Sequence, residues 1–161
     1  MVGYKGGKLP FTYLGIPIGT SMSKERSWNC LYEKMSGKLS KWKTKLLSTG
    51  GKLTLCKTVL GSLGVYLFSI YKAPSKVLKK LESIRSKFFW GSSGDKAKIH
   101  RVAWDKVLNS RDKGGLGMGS LKAHNVALLV KWWWRFRSEE DTVWKKVVMA
   151  IHGVSGNLGQ G

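Results

Sequence analysis

The turn Gly50-Gly51-Lys52, set just ahead of a strongly apolar run, is the first place in this sequence where residue types and spacing suggest chemistry. Free backbone N–H groups at such a turn can cradle a phosphate, and the lysine adds charge. Lys52 and Lys57 at the start of a helix oppose a dipole that favours anions there, and a bound phosphate relieves that conflict. A solvated basic turn is the plainer alternative. The phosphate-loop pattern of nucleotide hydrolases does not fit, because Leu53 follows Lys52 and no glycine stands five residues earlier.

Other reactive groups are scattered. Asp95, Asp105 and Asp112 stand alone in or beside loops, whereas a two-metal site needs carboxylates gathered at one point. Glu139-Glu140-Asp141 are adjacent, but they suit the N-terminus of a last helix. His100, His124 and His152 lie far apart, and no Cys–Cys or Cys–His pair has zinc-ligand spacing. Gly114-Gly115-Leu116-Gly117 follows no convincing strand, so a dinucleotide fingerprint is poorly supported. These residues alone outline no active site.

Composition points to binding. Lys and Arg number 29 against 9 Asp and Glu, a formal net charge of +20 that calls for a polyanionic partner. Eight Trp and five Tyr spread among the cations favour nucleic acid over a membrane surface, because aromatic rings stack on bases. A cationic membrane-surface protein would need wide apolar faces open to lipid. The longest apolar stretch, Val59 to Tyr71, is too short for a spanning helix of ~20 residues. Met1 to Phe11 lacks the apolar centre of a secretory signal. Cys30 and Cys56 both fall on apolar helical faces, which predicts buried free thiols and a reducing compartment.

The elements that must position these groups read as mostly helical. Leu9 to Gly19, broken by Pro10, Gly15 and Pro17, predicts a small hairpin or sheet edge. Ser23 is placed to cap a helix on which Trp28, Leu31, Tyr32, Met35, Leu39, Trp42 and Leu46 share a face, ended by Gly50-Gly51. Cys56, Val59, Leu60, Leu63, Leu67 and Ile70 mark one face of the next helix, running to about Lys72. After Pro74, Ser75 caps a third helix with a core stripe of Val77, Leu81, Ile84 and Phe88 and with Lys76, Lys80, Ser83 and Lys87 opposite; Gly91 closes it. Three amphipathic helices with short connections predict a bundle. Beyond it come a short helix around Trp104 to Leu108, a glycine-rich turn, a helix capped by Ser120 and a last helix through Trp144. Trp132, Trp133 and Trp134 span about 300° of a helix, so at least one ring must leave the core.

The ordered series Leu9-Pro10-Phe11-Thr12-Tyr13-Leu14-Gly15-Ile16-Pro17-Ile18-Gly19, Trp42-Lys43, Leu47-Ser48-Thr49-Gly50-Gly51-Lys52-Leu53-Thr54-Leu55, Phe88-Phe89-Trp90-Gly91, Gly114-Gly115-Leu116-Gly117 and Lys131-Trp132-Trp133-Trp134-Arg135 resembles LINE-type non-LTR retrotransposon reverse transcriptases of plants. The resemblance covers nearly the whole chain. It implies that Tyr13, Leu14 and Gly15 correspond to the primer grip that closes the palm. Residues 21–91 correspond to a three-helix thumb, 92–153 to a helical connector and 154–161 to a flexible tail, with 1–20 the end of the palm. The thumb assignment implies phosphate contacts from Lys41, Lys43, Lys45, Gly50, Gly51, Lys52 and Lys57. The expected partners are an RNA–DNA hybrid or duplex and the palm and fingers of the parent polymerase, in a nuclear setting. The family's Ala-Asp-Asp motif is absent, so no cofactor is expected in this segment, although the full-length enzyme would use Mg2+. Gly64 and Cys56 depart from the usual residues of relatives, which carry proline and a branched apolar residue there. A stand-alone basic nucleic-acid-binding or chaperone-like protein derived from a transposon is the competing reading. The expected fold is therefore mainly α, with a short N-terminal β-hairpin, a three-helix bundle and a helical connector.

Overall fold

The computed structural model describes residues 9–13, 16–41, 46–91, 102–139 and 142–152. The fold is mainly helical, with a two-stranded hairpin at its N-terminal side, as the sequence predicts. Strands β1 (Phe11–Tyr13) and β2 (Ile16–Ile18) pair antiparallel, with Phe11 opposite Ile18 and Tyr13 opposite Ile16. The Tyr71 hydroxyl donates to the Pro17 carbonyl at 3.3 Å and ties this hairpin to the helical body.

The first helix begins later than Ser23. A 3-10 turn spans Glu25–Trp28 and runs into α1 (Asn29–Lys41), with Lys24 in the cap position and no side-chain bond there. The cause is Trp28, which is fully buried and donates its indole N–H to the Met22 carbonyl at 2.9 Å. That anchor winds residues 21–24 into a turn and moves the helix start past Ser23. Leu31, Tyr32 and Met35 then enter the core as their spacing predicts. Trp42 lies outside the described residues. Leu46, expected on the same face, is exposed, because the chain has already turned toward the next cap at Ser48.

Gly50 and Gly51 do not end a helix; they lie in the first turn of one. Ser48 caps α2 (Thr49–Leu55), its hydroxyl accepting from the Gly51 N–H at 3.1 Å. Capping by Ser overrides the weak helix propensity of the two glycines. The helix then widens into a π turn at Cys56–Leu60, where the Gly61 N–H reaches back to the Cys56 carbonyl. A break at Leu63–Gly64 leads into α3 (Val65–Ile70). Residues four apart on a regular α-helix drift by about 40° per step. The wide turn and the break absorb that drift, so Cys56, Leu60, Gly64 and Phe68 all point inward. Ile70, expected on the buried face, is exposed for the same reason. Gly64 is required by proximity: a Cβ there would sit 2.7 Å from the Phe68 ring.

Pro74, not Ser75, occupies the cap of α4 (Ser75–Trp90), and no side chain caps its first N–H groups. The rest of the α4 reading holds. Val77, Leu81 and Phe88 are buried, Lys76, Lys80, Ser83 and Lys87 are exposed, and Gly91 closes the helix in the left-handed conformation at φ 68°. α4 packs on α1 and α2, and it also packs on α6 (Leu121–Ser138), which lies against α3. Val107, Leu108, Met118 and Leu121 from the C-terminal half join the same core as Trp28 and Leu81.

Two buried polar groups fasten this arrangement. Asn125 of α6 donates to the Phe68 and Tyr71 carbonyls and accepts from the Ala73 N–H, so it holds the end of α3 and the link to α4. Glu82 of α4 accepts from buried Arg85, from the Trp104 indole at 3.0 Å and from the Leu121 N–H at 2.7 Å. It thereby joins α5 (Trp104–Leu108) and the start of α6 to α4. Between them the chain runs through a 3-10 turn and a glycine-rich segment that hydrogen-bonds back onto α5, with Leu116, Gly117 and Gly119 N–H groups on the Val107, Asn109 and Leu108 carbonyls. Gly115 is confined there, because a Cβ would meet the Asn109 carbonyl oxygen at 2.1 Å. Ser120 caps α6 through the Ala123 N–H at 3.1 Å, as expected.

The cysteines are both free, but only Cys56 is buried; Cys30 is exposed, because its turn of α1 faces away from α4. Burial pushes the Cys56 thiol up to about 11, with Arg85 lowering it and Glu82 raising it to smaller extents. Folding therefore favours the neutral thiol, and that contribution, complete below the ordinary thiol range, is lost as pH rises through about 11. Alkylation of the native protein at pH near 8, read by mass spectrometry, is expected to modify Cys30 and to spare Cys56 until denaturant is added. Glu82→Ala is expected to lower unfolding free energy by about 3 kcal/mol in urea titrations, because it leaves buried Arg85 without its carboxylate. A loss within experimental error would remove Glu82 as a junction.

Candidate nucleic-acid interface

Helix α4 owes its polar face to sequence periodicity. With Val77, Leu81 and Phe88 turned inward, Lys76, Lys79, Lys80 and Lys87 fall on the opposite side, and no acidic residue interrupts them. Lys80 leans toward the first helical layer. Its ammonium lies 3.1 Å from the Glu25 carboxylate and 4.2 Å above the Tyr32 ring. The pair is half exposed and worth little energetically. The other lysines on this side of the helix are turned to solvent.

The predicted site residues divide. Tyr13 is exposed at the end of β1, while Leu14 and Gly15 lie outside the described residues. Lys43 and Lys45 also lie outside them, and Lys41 is the last residue of α1, its side chain outside the description. Gly50, Gly51 and Lys52 are together in the first turn of α2. There the Gly51 N–H is taken by Ser48 Oγ and the Lys52 N–H by the Ser48 carbonyl at 3.0 Å. Two of the N–H groups a phosphate would use are thus satisfied within the helix. The Lys52 ammonium rests beside Gly91, close enough that a Cβ there would lie 3.0 Å from it. That places a cation at the carbonyl end of α4, where the helix dipole favours it. Lys57 donates to the Leu116 carbonyl at 3.0 Å and holds the glycine-rich segment against the helix.

A second cationic region lies at the end of α6 and was not anticipated from sequence. From Leu121 to Ser138 this helix contains four Lys or Arg residues and no acid. Arg137 stacks over the Trp133 ring at 4.6 Å, and Arg135 lies over both Trp132 and Trp144. The i,i+4 spacing of Trp133 and Arg137 was the available signal. All three consecutive tryptophans are exposed, more than the single ring the helical geometry requires. Trp132 is the most constrained, with its indole donating to the Ser69 carbonyl. Helix α7 (Val143–His152) is fastened here by Glu139, which accepts from Arg135 and from the Trp144 indole at 3.0 Å. Those two hydrogen bonds hold the Glu139 carboxyl below the ordinary range.

Among the described residues no group of three or more His, Cys, Asp or Glu is placed to hold a metal ion. Nor is any described helix long and apolar enough to cross a membrane. The surface offers phosphate contacts and flat rings.

Two proteins of Arabidopsis thaliana are similar to this chain. A candidate ribonuclease H protein is 38% identical over 139 residues, which make up 86% of this chain and 22% of that protein. An uncharacterised mitochondrial protein is 36% identical over 88 residues, 54% of this chain and 57% of that protein. The chain thus spans about a fifth of one relative and little more than half of the other. No family model and no solved structure matches it.

The bond from Lys57 to Leu116 gives this lysine a structural duty whatever else it touches. Lys57→Ala is expected to reduce stability by about 1 kcal/mol in urea unfolding, the scale of one hydrogen bond from a charged group near the surface. An unchanged midpoint would leave Lys57 free for a purely external role.

Proposed function

We propose that this chain is the nucleic-acid-gripping part of a retroelement-derived protein, equivalent to the primer grip, thumb and connector of a plant non-LTR reverse transcriptase. One observation carries the reading. The solvent face of α4 presents Lys76, Lys79 and Lys87 without an intervening acid, and Lys52 continues the line beyond its C-terminal end. A helix of 16 residues is ~24 Å long, a span of ~7 base pairs. Cations on such a face hold a duplex by its phosphates and read no sequence. The relative named as a candidate ribonuclease H protein supports a setting in a longer polypeptide that handles nucleic acid.

On this reading the chain binds an RNA–DNA hybrid or duplex DNA. Tyr13, Leu14 and Gly15 serve the primer end, and Lys41, Lys43, Lys45, Gly50, Gly51, Lys52 and Lys57 lie along the duplex. Synthesis and its Mg2+ belong to the palm and fingers of the parent polymerase. The sequence has no Ala-Asp-Asp motif, so the role of this segment is to hold.

The test is fluorescence anisotropy with a labelled hybrid and duplex DNA of several sequences, titrated across salt. The wild type is expected to bind all of them with a steep, sequence-independent salt dependence. Each of Lys76→Ala, Lys87→Ala and Lys52→Ala is expected to lower the slope of log affinity against log salt by ~1. Slopes unchanged in all three variants, or no binding by a folded sample at low salt, would overturn the reading.

A further inference from the structure

The outer side of α6 is unlike the outer side of α4. Val126, Val130 and Trp134 succeed one another at steps of four, with Trp133 and Arg137 beside them, and all five are exposed. Trp134 is 66% exposed and Trp133 48%. Neither ring is needed inside: the buried side of α6 is supplied by Leu121 and Asn125, with Leu128 packed against the core. Large rings left in water on a highly charged protein mark a contact surface.

The charge around these rings says what the contact is. Helix α6 carries Lys122, Lys131, Arg135 and Arg137 and no carboxylate. A second copy of the chain would bring another +20 to the same face, which disfavours self-association. A polyanion with flat apolar groups satisfies both features. Arg137, lying over Trp133 at 4.6 Å, extends the ring into a two-layer platform and leaves its other face open.

We infer that Trp133 and Trp134 form a stacking platform for unpaired bases of single-stranded nucleic acid, with Lys131 and Arg137 on the phosphates. A duplex hides its base faces, so it gains nothing from such rings, whereas a single strand can lay a base on each. The inference rests on the nucleic-acid reading above and extends it: one surface, α4, holds paired nucleic acid, and a second, α6, holds the unpaired strand.

The experiment compares labelled oligo(dT) with duplex DNA at one salt concentration, using the full chain, Trp133→Ala, Trp134→Ala and the double variant. Far-UV circular dichroism and thermal melting check that each variant is folded; both rings are exposed, so the fold is expected to persist. The double variant is expected to lose about tenfold or more in oligo(dT) affinity and to bind duplex DNA within about twofold of wild type. Trp133→Phe with Trp134→Phe is expected to recover part of the loss, and oligo(dT) is expected to quench tryptophan fluorescence of the wild type only. Equal loss for both ligands, or none for oligo(dT), would overturn the platform while leaving the duplex reading intact. Wild-type self-association in sedimentation that the double variant abolishes would assign the face to a protein contact instead. Failure of the wild type to bind either ligand would remove both readings together.

Discussion

The Glu82 carboxylate is the interaction on which the arrangement of the second half depends. It sits on α4, yet its two oxygens accept from Arg85 on its own helix, from the indole of Trp104 and from the first N–H of α6. Arg85 in turn donates to the Gly119 carbonyl. One charged node therefore fixes three successive elements and supplies an anion to the N-terminus of α6, where the helix dipole favours it. Once α6 is set at that end, Asn125 one turn later reaches the carbonyls that α3 leaves open, and the chain between α3 and α4 is held. The tryptophans at the far end of α6 take their positions from these two contacts.

Scarce acids placed at junctions reconcile the charge with a packed fold. With 9 acidic residues against 29 basic ones, self-repulsion opposes compaction. The ion pairs among the described residues put the carboxylates where elements meet. Glu25 joins the first 3-10 turn to α4, Glu82 joins α4 to α5 and α6, and Glu139 joins α6 to α7. The outward faces of α4 and α6 are left purely cationic or aromatic. Such a division lets one small chain be both cohesive inside and strongly positive outside.

Much of this was legible in the sequence. The stripe of α4, the cap at Ser120, the hairpin and the short helix at Trp104 arise from periodicity and local capping rules, which depend on neighbours only. What was not legible depends on distant partners. Trp28 moves the first helix start because its indole finds the Met22 carbonyl. Ser48 captures the Gly51 N–H and turns an expected break into a helix start. Arg85 and Asn125 fall on buried faces where polar residues look like exceptions, and their partners lie on other elements. Cys30 has the spacing of a core residue, but no neighbour covers that turn. Of the candidate site, Lys52 and Lys57 could be named from sequence. That one rests on the end of α4 and the other on the Leu116 carbonyl required tertiary contacts.

The widened turn at Cys56–Leu60 has a consequence for how this chain can change length. A π turn holds one residue more than the α turn it replaces. Removing a single residue there would leave an unbroken helix, so local structure would tolerate the deletion. Everything downstream would rotate by about 100°, carrying Phe68 off Trp28 and swinging the Phe68 carbonyl away from Asn125. The helix itself would therefore hide the defect, and the damage would surface as misaligned halves. Between relatives of this chain, the spacing from Cys56 to Phe68 is the length that must be kept, even where the residues inside it vary.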